Sequence, residues 1–372
     1  MFEAVSDDWH AVFRGTRPHL LHRILETNGM LDWRLRHIDG SRMDTTLPFT
    51  PPYKQPSCLT TDAGEIRRVG FELEFSGITL EQAAQAVEQS LGGVRRVDTV
   101  AAQSIEVPDL GTFVVELDWA FLKKQASEGL EPGAGAPWLE PLSRAAAVLV
   151  PIEVVCPPVP MTKLETLDPM VQRLRQAGAV GTNESIIAAY GLHVNIELPS
   201  LDPATVHDYL RAYCLMQWWL VDAHDVDLAR RLSPYIDLYP QAYIREVLKM
   251  QSPDMAQITA AYLQYNPSRN RALDLLPILA EMDVKAVRAV VDDDRVKARP
   301  AFHYRLPNCQ IDQPDWSMSK AWNTWCLVEW LAQRPDDLDM LGKQFLDAER
   351  WVIGVDRAAW VEHMGQWLCD NV

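Results

Sequence analysis

The sequence predicts an α+β fold in which short strands form a sheet and helices cover it. Several segments alternate polar and apolar residues, as strands do when one face is buried. Two of these segments are joined by residues 108–111, a turn with proline first and glycine last. Beyond Leu198 the apolar residues follow helical spacing instead.

Composition and charge limit the classes of partner. Of the 372 residues, 48% are hydrophobic and 23% are charged, so the chain can bury a sizeable core. The 51 Asp and Glu residues outnumber 35 Lys and Arg residues and give a net charge of −16. This charge repels nucleic acid and anionic membranes, and no basic run offsets it. We therefore expect neither as a partner.

The termini and cysteines predict a cytoplasmic protein. The first eight residues are acidic and lack the features of a secretory signal, and no apolar run is long enough for a membrane span. The six cysteines include no CxxC pair, which argues against a zinc site and a disulfide framework. Buried, inert thiols are expected, with a lone catalytic cysteine as the rarer alternative.

Residues 68–75, Arg-Val-Gly-Phe-Glu-Leu-Glu-Phe, contain the first candidate site. In a strand, Glu72 and Glu74 lie on one face and the large apolar residues lie on the other. Glutamate is a poor strand former, so the pair needs an explanation. A solvated edge strand is the common one. The other is a pair of oxygen ligands for a hard cation such as Mg2+.

Two later strands repeat this carboxylate pattern. Residues 113–118 place Glu116 and Asp118 on one face, and residues 150–158 place Glu153 among aliphatic residues before two prolines. A glutamate buried among aliphatic side chains needs a cation or a donor. An edge position or a solvated face is the alternative for each of these carboxylates.

Residues 190–198 form another alternating strand, with His193, Asn195 and Glu197 on one face. A lone histidine is more often structural than functional. This one heads a polar row, which suits phosphate or metal contact better than core packing.

The last predicted strand lies within residues 299–308 and places His303 and Arg305 two residues apart. Arginine is well shaped to clamp phosphate or carboxylate, although a structural salt bridge is the common alternative. Arg269 and Arg271 lie in a polar segment that breaks the helical pattern. They are candidates to bind an acidic substrate together with His303, and a solvated turn is the alternative.

Three regions flank or interrupt the strands. Residues 1–66 are expected to form an N-terminal arm, because the prolines of residues 47–56 require an extended chain. Residues 311–372 contain seven tryptophans and predict a C-terminal helical layer, or a subunit contact in a homo-oligomer. Capping and spacing predict helices at residues 80–91, 161–178, 203–221, 241–250, 254–265 and 272–282, and hairpin strands at 94–107 and 112–122.

The order of these motifs resembles the putative amidoligase family, which is similar in fold to glutamine synthetase and glutamate-cysteine ligase. The resemblance covers about residues 66–310, and the Gly-x-Glu-x-Glu and Gly-Leu-His-Val elements are its most specific parts. In chain order the matching elements are Gly70 to Phe75, the strand bearing Asp118, Glu153 to Pro158, Gly191 to Asn195, and Arg305.

This resemblance implies a curved antiparallel sheet of the glutamine synthetase catalytic type, with ATP and Mg2+ on the concave face and helices on the convex face. It implies a catalytic domain over residues 67–310 with a helical insertion at about 201–298. The implied function is an ATP-dependent, ADP-forming carboxylate–amine ligase that acts through an acyl phosphate. The carboxylate and amine substrates would be small molecules or peptides, and the sequence identifies neither.

The resemblance also implies a role for each site residue. Metal ions and an arginine would neutralise charge on the transferring phosphoryl group. The implied metal ligands are Glu72, Glu74 and Glu153, the implied nucleotide contacts are His193, Asn195 and Arg305, and the implied catalytic groups are Arg305 and Asp118.

Two departures from the family pattern keep other functions open. Asn195 stands where family members often have a second histidine, and residues 307–309 replace a common Gly-Thr after Arg305. Either departure could change substrate choice or abolish turnover. One alternative is therefore an inactive nucleotide- or peptide-binding module of the same fold. Another is a metal-dependent hydrolase using His193, although the lack of a histidine-rich set argues against zinc.

Overall fold

The computed structural model describes residues 51–117, 151–182, 189–233, 235–350 and 354–372. These residues form nine strands and ten α-helices. The strands are β1 (Arg68–Phe75), β2 (Val94–Thr99), β3 (Ala102–Val107), β4 (Gly111–Leu117), β5 (Ile152–Val155), β6 (Val159–Pro160), β7 (Leu192–Glu197), β8 (Leu273–Asp274) and β9 (Ala301–Tyr304). The helices are α1 (Leu80–Leu91), α2 (Asp168–Ala177), α3 (Pro203–Ala223), α4 (Leu228–Arg231), α5 (Gln241–Lys249), α6 (Met255–Tyr265), α7 (Leu276–Arg288), α8 (Met318–Ala332), α9 (Pro335–Asp347) and α10 (Arg357–Asn371).

The nine strands form one open, antiparallel sheet. Its order is β2-β3-β4-β5-β1-β7-β9-β8, and β6 pairs with the beginning of β1. Strand β1 therefore lies inside the sheet, between β5 and β7. An antiparallel sheet packed with helices confirms the mixed α and β class, and it excludes the edge-strand explanation for the glutamates of β1.

Helix α1 begins and ends at the predicted residues. The backbone N–H of Gln82 donates to Thr79 Oγ1 at 3.2 Å, and the N–H of Thr79 donates to Gln82 Oε1 at 2.9 Å. This reciprocal pair forms the capping box. Gly92 ends the helix with a φ of 70°, a left-handed conformation that glycine adopts without strain.

Three predicted elements are wrong in their boundaries. The helix predicted at 161–178 begins as a 3-10 turn at Leu164–Leu167 and becomes α2 only at Asp168. Residues 94–107 form a hairpin of β2 and β3 rather than one strand, because the chain turns at Val100 and Ala101. The Ala101 N–H donates to Thr99 Oγ1 at 3.2 Å, so a side chain satisfies the turn backbone. The helix predicted at 272–282 begins only after β8, because apolar spacing cannot distinguish a two-residue strand from a first helical turn.

One face of the sheet is apolar and buried beneath helices. Phe302 and Tyr304 of β9 pack against Trp325 of α8, with ring centroids 5.9 and 5.0 Å apart. Burying such rings supplies much of the free energy that holds the layers together. Other fully buried residues of this face are Phe71, Leu73, Phe75, Leu192 and Val194.

A buried ion pair links the sheet to the helical layer. Arg67 donates to the two carboxylate oxygens of Glu329 at 2.8 and 2.7 Å, and these side chains are 0% and 1% exposed. Tyr209 Oη and Trp325 Nε1 also donate to Glu329, at 2.9 and 3.1 Å. Four donors therefore compensate for the loss of water around this carboxylate.

The flanking regions pack on the same core. Only residues 51–66 of the predicted arm are described, and Trp322 of α8 donates through Nε1 to the carbonyl of Lys54 at 2.7 Å. Helices α8, α9 and α10 form the C-terminal part and share one hydrophobic core with the sheet. None of the helices in the described ranges combines the length and apolar character that crossing a bilayer requires.

Candidate active site

The other face of the sheet carries polar side chains, and strand register aligns them in rows. Glu74 of β1 lies opposite Glu153 of β5, which lies opposite Glu116 of β4. Directly opposed residues share a face in an antiparallel pair. All three side chains are half-buried. We call this row of carboxylates the acidic end.

The following rows bring histidines to the same face. Glu72 lies opposite His193 of β7. Asn195 lies opposite His303 of β9, which lies opposite Asp274 of β8. The register thus unites predicted site residues that are far apart in the sequence.

Glu72 accepts hydrogen bonds from two side chains of the neighbouring strand β7. Its Oε1 accepts from Asn195 Nδ2 at 2.8 Å, and its Oε2 accepts from His193 Nδ1 at 3.0 Å. His303 Nε2 lies 3.4 Å from the same Oε2. Burial by itself raises the pKa of Glu72, but the imidazoles of His303 and His193 hold that pKa well below its usual range. Glu72 is therefore an ionised carboxylate that Asn195 and His193 hold by hydrogen bonds and that His303 approaches.

His193 connects Glu72 to the acidic end. Because Nδ1 donates to Glu72, Nε2 is the ring atom that faces Glu74, at 3.5 Å from Oε1. The Gly191 N–H donates to Glu74 Oε2 at 2.7 Å. A Cβ on Gly191 would approach Arg230 Nη2 to 2.7 Å and His193 Nε2 to 3.0 Å, so a larger residue there would have to displace these side chains. This explains the glycine and histidine of the Gly-Leu-His-Val element.

Two groups of three side chains have ligand atoms within 4.8 Å of one another. One group is Glu74, Glu153 and His193, at the acidic end. The other is Glu72, His193 and His303. Two histidines with one glutamate are a set typical of catalytic zinc, and the sequence did not predict that the fold would bring them together.

The tautomer of His303 argues against zinc binding at this second group. His303 Nδ1 lies 3.1 Å from Arg305 Nη2 and 3.3 Å from Arg299 Nη2. A guanidinium can only donate, so Nδ1 is the acceptor and Nε2 carries the hydrogen. Burial and the charge of Arg305 also lower the pKa of His303, which keeps the ring neutral. Nε2 therefore carries its hydrogen 3.4 Å from Glu72 Oε2, without a hydrogen bond of good geometry among the described residues, and offers no lone pair to a metal.

Arg305 and Asp274 form a buried pair beneath this group. Arg305 is 9% exposed, and its Nη2 lies 3.8 Å from Asp274 Oδ2. Burial raises the pKa of Asp274 to about 6, with Arg305 and the Leu276 N–H acting in the opposite direction. Among the described residues, no group accepts a hydrogen bond from Arg305 Nε.

The two arginines predicted to bind substrate occupy different places. Arg269 is half-buried and lies within electrostatic range of Arg305. Arg271 donates to the carbonyl oxygens of Leu238 and Tyr265, both at 3.1 Å. Arg269 is thus influenced by the charge of Arg305, whereas the guanidinium of Arg271 joins two backbone segments.

Arg299 and Asp274 were not selected from the sequence. Arg299 Nη2 donates to Asn195 Oδ1 at 2.6 Å. Strand alternation already placed Arg299 on the same face as His303 and Arg305, so a signal for it was present. Asp274 was missed because its segment was predicted to be helical.

Two sequence features remain, Asp118 and the departure at residues 307–309. Asp118 lies outside the described residues. In the segment that replaces the family's Gly-Thr, Asn308 Nδ2 donates to the Asp225 carbonyl at 2.8 Å, and its Oδ1 accepts from the Asp227 N–H at 3.1 Å. That departure therefore ties the chain after β9 to the segment following α3.

The fold and the site define an α+β protein with a carboxylate-rich candidate active site on one face of an antiparallel sheet. A family model described as "Putative amidoligase enzyme" matches residues 65–327, well over half of the chain. The chain belongs to this family, which confirms the resemblance and indicates a ligase. Searches of the curated proteins and of the solved structures found no match.

Proposed function

We propose that this protein is an ATP-dependent carboxylate–amine ligase that forms an amide bond through an acyl phosphate and releases ADP. One observation carries the proposal. The acidic end and the buried Arg305 lie on the same face of the sheet, and Glu72 lies between them next to His193 and His303. Membership in the amidoligase family supports the reaction class. Mg2+ as cofactor and a curved sheet of the glutamine synthetase type are parts of this proposal.

Transfer of a phosphoryl group to a carboxylate needs carboxylates that hold metal ions and an arginine that contacts the phosphates. An amine does not displace an oxide from a carboxylate, so the carboxylate oxygen must first become part of a leaving group. Phosphorylation by ATP provides that leaving group. The negative charge on the phosphoryl oxygens is stabilised by cations, whether metal ions or guanidinium groups.

Glu74 and Glu153 would hold the Mg2+, with Glu116 beside them. Mg2+ prefers carboxylate oxygens and keeps several waters, which suits side chains that are half-buried rather than enclosed. Glu72 retains lone pairs on both oxygens and lies in the next row. It would complete the metal set and also hold the ring of His193 in place.

His193 and Arg305 would face the nucleotide phosphates. The bond to Glu72 leaves His193 Nε2 turned towards the acidic end. Arg305 is held by His303 and Asp274, so its guanidinium is positioned before substrate binds. Donors fixed in advance contribute the most to stabilising charge in a transition state.

The direct test is release of ADP by the purified protein. We expect release to require Mg2+, a carboxylate and an amine together, and to stop when any one is omitted. ATP binding without ADP release from any substrate pair would support the binding module instead. Amide hydrolysis that proceeds without ATP would support the hydrolase.

Arg305→Lys tests the catalytic role of the buried guanidinium. The variant keeps the charge and loses the planar fork, so nucleotide should bind nearly as well while turnover falls on the order of 10^2-fold. Arg334→Lys, at a surface helix, is the control and should match the parent. Unchanged ADP release from a destabilised Arg305→Lys protein would give Arg305 a structural role only.

A further inference from the structure

Arg230 of helix α4 is a buried arginine that binds the backbone rather than a carboxylate. It is 3% exposed, and its Nη2 donates to the Arg305 carbonyl at 2.7 Å. Its Nη1 donates to the carbonyls of Leu306 and Pro307, both at 2.7 Å, and lies 3.5 Å from Asn308 Oδ1. We call residues 305–308 the exit segment, because they follow the last residue of β9. One guanidinium therefore contacts every residue of the exit segment.

The exit segment depends on this contact because it lies beyond the end of the strand. The Arg305 N–H donates to the Ala272 carbonyl at 2.8 Å, which holds one side of the backbone. The Arg305 carbonyl, on the other side, accepts from Arg230. The backbone from which the Arg305 side chain extends is therefore held between Ala272 and Arg230.

A buried cation whose acceptors are all neutral needs an explanation, because removing a charge from water is costly. Burial lowers the pKa of Arg230 to about 10, although the charge of Glu74 acts in the opposite direction. Arg230 is thus still a cation at neutral pH. An apolar side chain could fill the same space without that cost, but it could not hold three carbonyl oxygens. The carbonyl contacts therefore explain the arginine better than packing does.

The exit segment in turn holds the beginning of the helix that carries Arg230. Asp227 caps α4, and its Oδ1 accepts from the Ala229 N–H at 2.8 Å. The Asp227 N–H donates to Asn308 Oδ1 at 3.1 Å, and Asn308 Nδ2 donates to the Asp225 carbonyl at 2.8 Å. Arg230 and Asn308 therefore link the two segments in both directions.

Arg230 also lies beside the start of β7. A Cβ on Gly191 would be 2.7 Å from Arg230 Nη2 and 3.0 Å from His193 Nε2, so both groups lie next to this glycine. The Pro307 carbonyl, which accepts from Arg230, also accepts from the Leu192 N–H at 3.0 Å. Arg230 therefore lies between the exit segment and the start of β7.

We propose that Arg230 is a positioning residue that holds Arg305 in place against the start of β7. The effect on turnover rests on the ligase function proposed above, whereas the positioning rests on the contacts of Arg230 alone. Arg230 is buried and acts through the exit segment. A donor stabilises a transition state best when its position is set in advance, so loosening the exit segment should lower turnover more than affinity.

The NMR signal of the Arg305 Nε–H tests the positioning without any activity. This buried group has no acceptor among the described residues. In protein labelled with 15N-arginine, its signal is assigned by its absence from Arg305→Lys. Arg230→Lys keeps the charge, but an ammonium cannot span the carbonyls that the planar fork reaches. We therefore expect the Arg305 signal to move by more than its line width in Arg230→Lys.

Two further variants separate positioning from a loss of stability. Asn308→Ala loosens the exit segment and keeps the buried cation, so it should move the Arg305 signal by a smaller amount. Glu329→Gln is the control, because it breaks the buried ion pair between the sheet and the helical layer. It should lower stability and leave the Arg305 signal in place.

Three results would overturn the positioning role. The first is an unmoved Arg305 signal in folded Arg230→Lys, or in Asn308→Ala if Arg230→Lys does not fold. The second is an equal movement in Glu329→Gln, which would make the change a consequence of lower stability. The third is a parent signal at the position of a free arginine, which would mean that Arg305 is not held.

ADP release tests the consequence for turnover. Because Arg230 acts through Arg305, Arg230→Lys should lower kcat about tenfold or more and leave KM nearly unchanged. In an Arg305→Lys background it should lower kcat little further. Losses that multiply in the double variant would mean that Arg230 acts independently of Arg305, against the proposal. A parent that never releases ADP would reject the ligase function, while the Arg305 signal still decides the positioning.

Discussion

The amide of Asn195 bridges Glu72 and Arg299, two side chains of opposite charge. Its Nδ2 donates to Glu72 Oε1 at 2.8 Å, and its Oδ1 accepts from Arg299 Nη2 at 2.6 Å. His303 makes a second link, because its Nε2 faces Glu72 and its Nδ1 faces Arg299. Asn195, which the resemblance implied as a nucleotide contact, therefore has both ends of its amide engaged, and we infer a positioning role.

Replacing this amide by a leucine of similar size should destabilise the protein. Asn195→Leu removes a donor from Glu72 and an acceptor from Arg299, so we expect a loss of about 1–2 kcal/mol in unfolding free energy. Urea denaturation measures it. Gln85→Leu, at an exposed amide on α1, is the control and should change little. Equal stability of Asn195→Leu and the parent would mean that water replaces both bonds.

Removing a carboxylate from the acidic end should weaken divalent cation binding. Glu74→Gln and Glu153→Gln should each lower Mn2+ affinity at least about tenfold, measured by electron paramagnetic resonance of free Mn2+. Glu106→Gln alters an exposed glutamate on β3 and should bind as the parent does. Identical Mn2+ affinity in all three folded variants would show that the metal does not bind at the acidic end.

Breaking the buried pair should be far more costly than breaking a surface pair. Glu329→Gln leaves the charge of Arg67 buried without its counter-ion, and we expect a loss of about 3–5 kcal/mol in unfolding free energy. Asp337→Asn breaks the surface pair with Arg334 and should cost less than about 1 kcal/mol. Chemical denaturation compares the two. Similar losses would show that other groups compensate the buried charge of Arg67.

Asp274 should make stability depend on pH. The ordinary pKa of an aspartic acid side chain is 3.8, whereas the pKa of Asp274 in the fold is about 6, because burial disfavours the charged form. As pH rises from about 4 to 6, the unfolded carboxylate ionises first, so this residue lowers stability by about 3 kcal/mol in total. Asp274→Asn still accepts from the Leu276 N–H and removes the titration.

Urea denaturation of both proteins between pH 4 and pH 7 checks this expectation. The unfolding free energy of Asp274→Asn should rise relative to the parent as pH increases through that window. Towards pH 7 the difference should level off, because the carboxyl is then ionised in both states. Parallel profiles throughout would show that Asp274 titrates normally in the fold.

Local chemistry determined the elements that the sequence predicted well. The capping box of Thr79 and Gln82 and the glycine at 92 fix helix α1 from neighbouring residues alone. Strand alternation placed Glu72 and Glu74 on one face without knowledge of the partner strands. Such signals fail where an element is short, as at β8, or where a turn lacks glycine and proline, as between β2 and β3.

The sequence by itself therefore determined which side chains share a strand face, and the order of motifs determined the family. Only the tertiary structure decided which strands are neighbours, because register depends on contacts between residues far apart in the chain. That register places Glu153 beside Glu74, and His303 between two arginines and Glu72. The hydrogen on His303 follows from this arrangement, since two guanidinium donors leave Nδ1 as the acceptor.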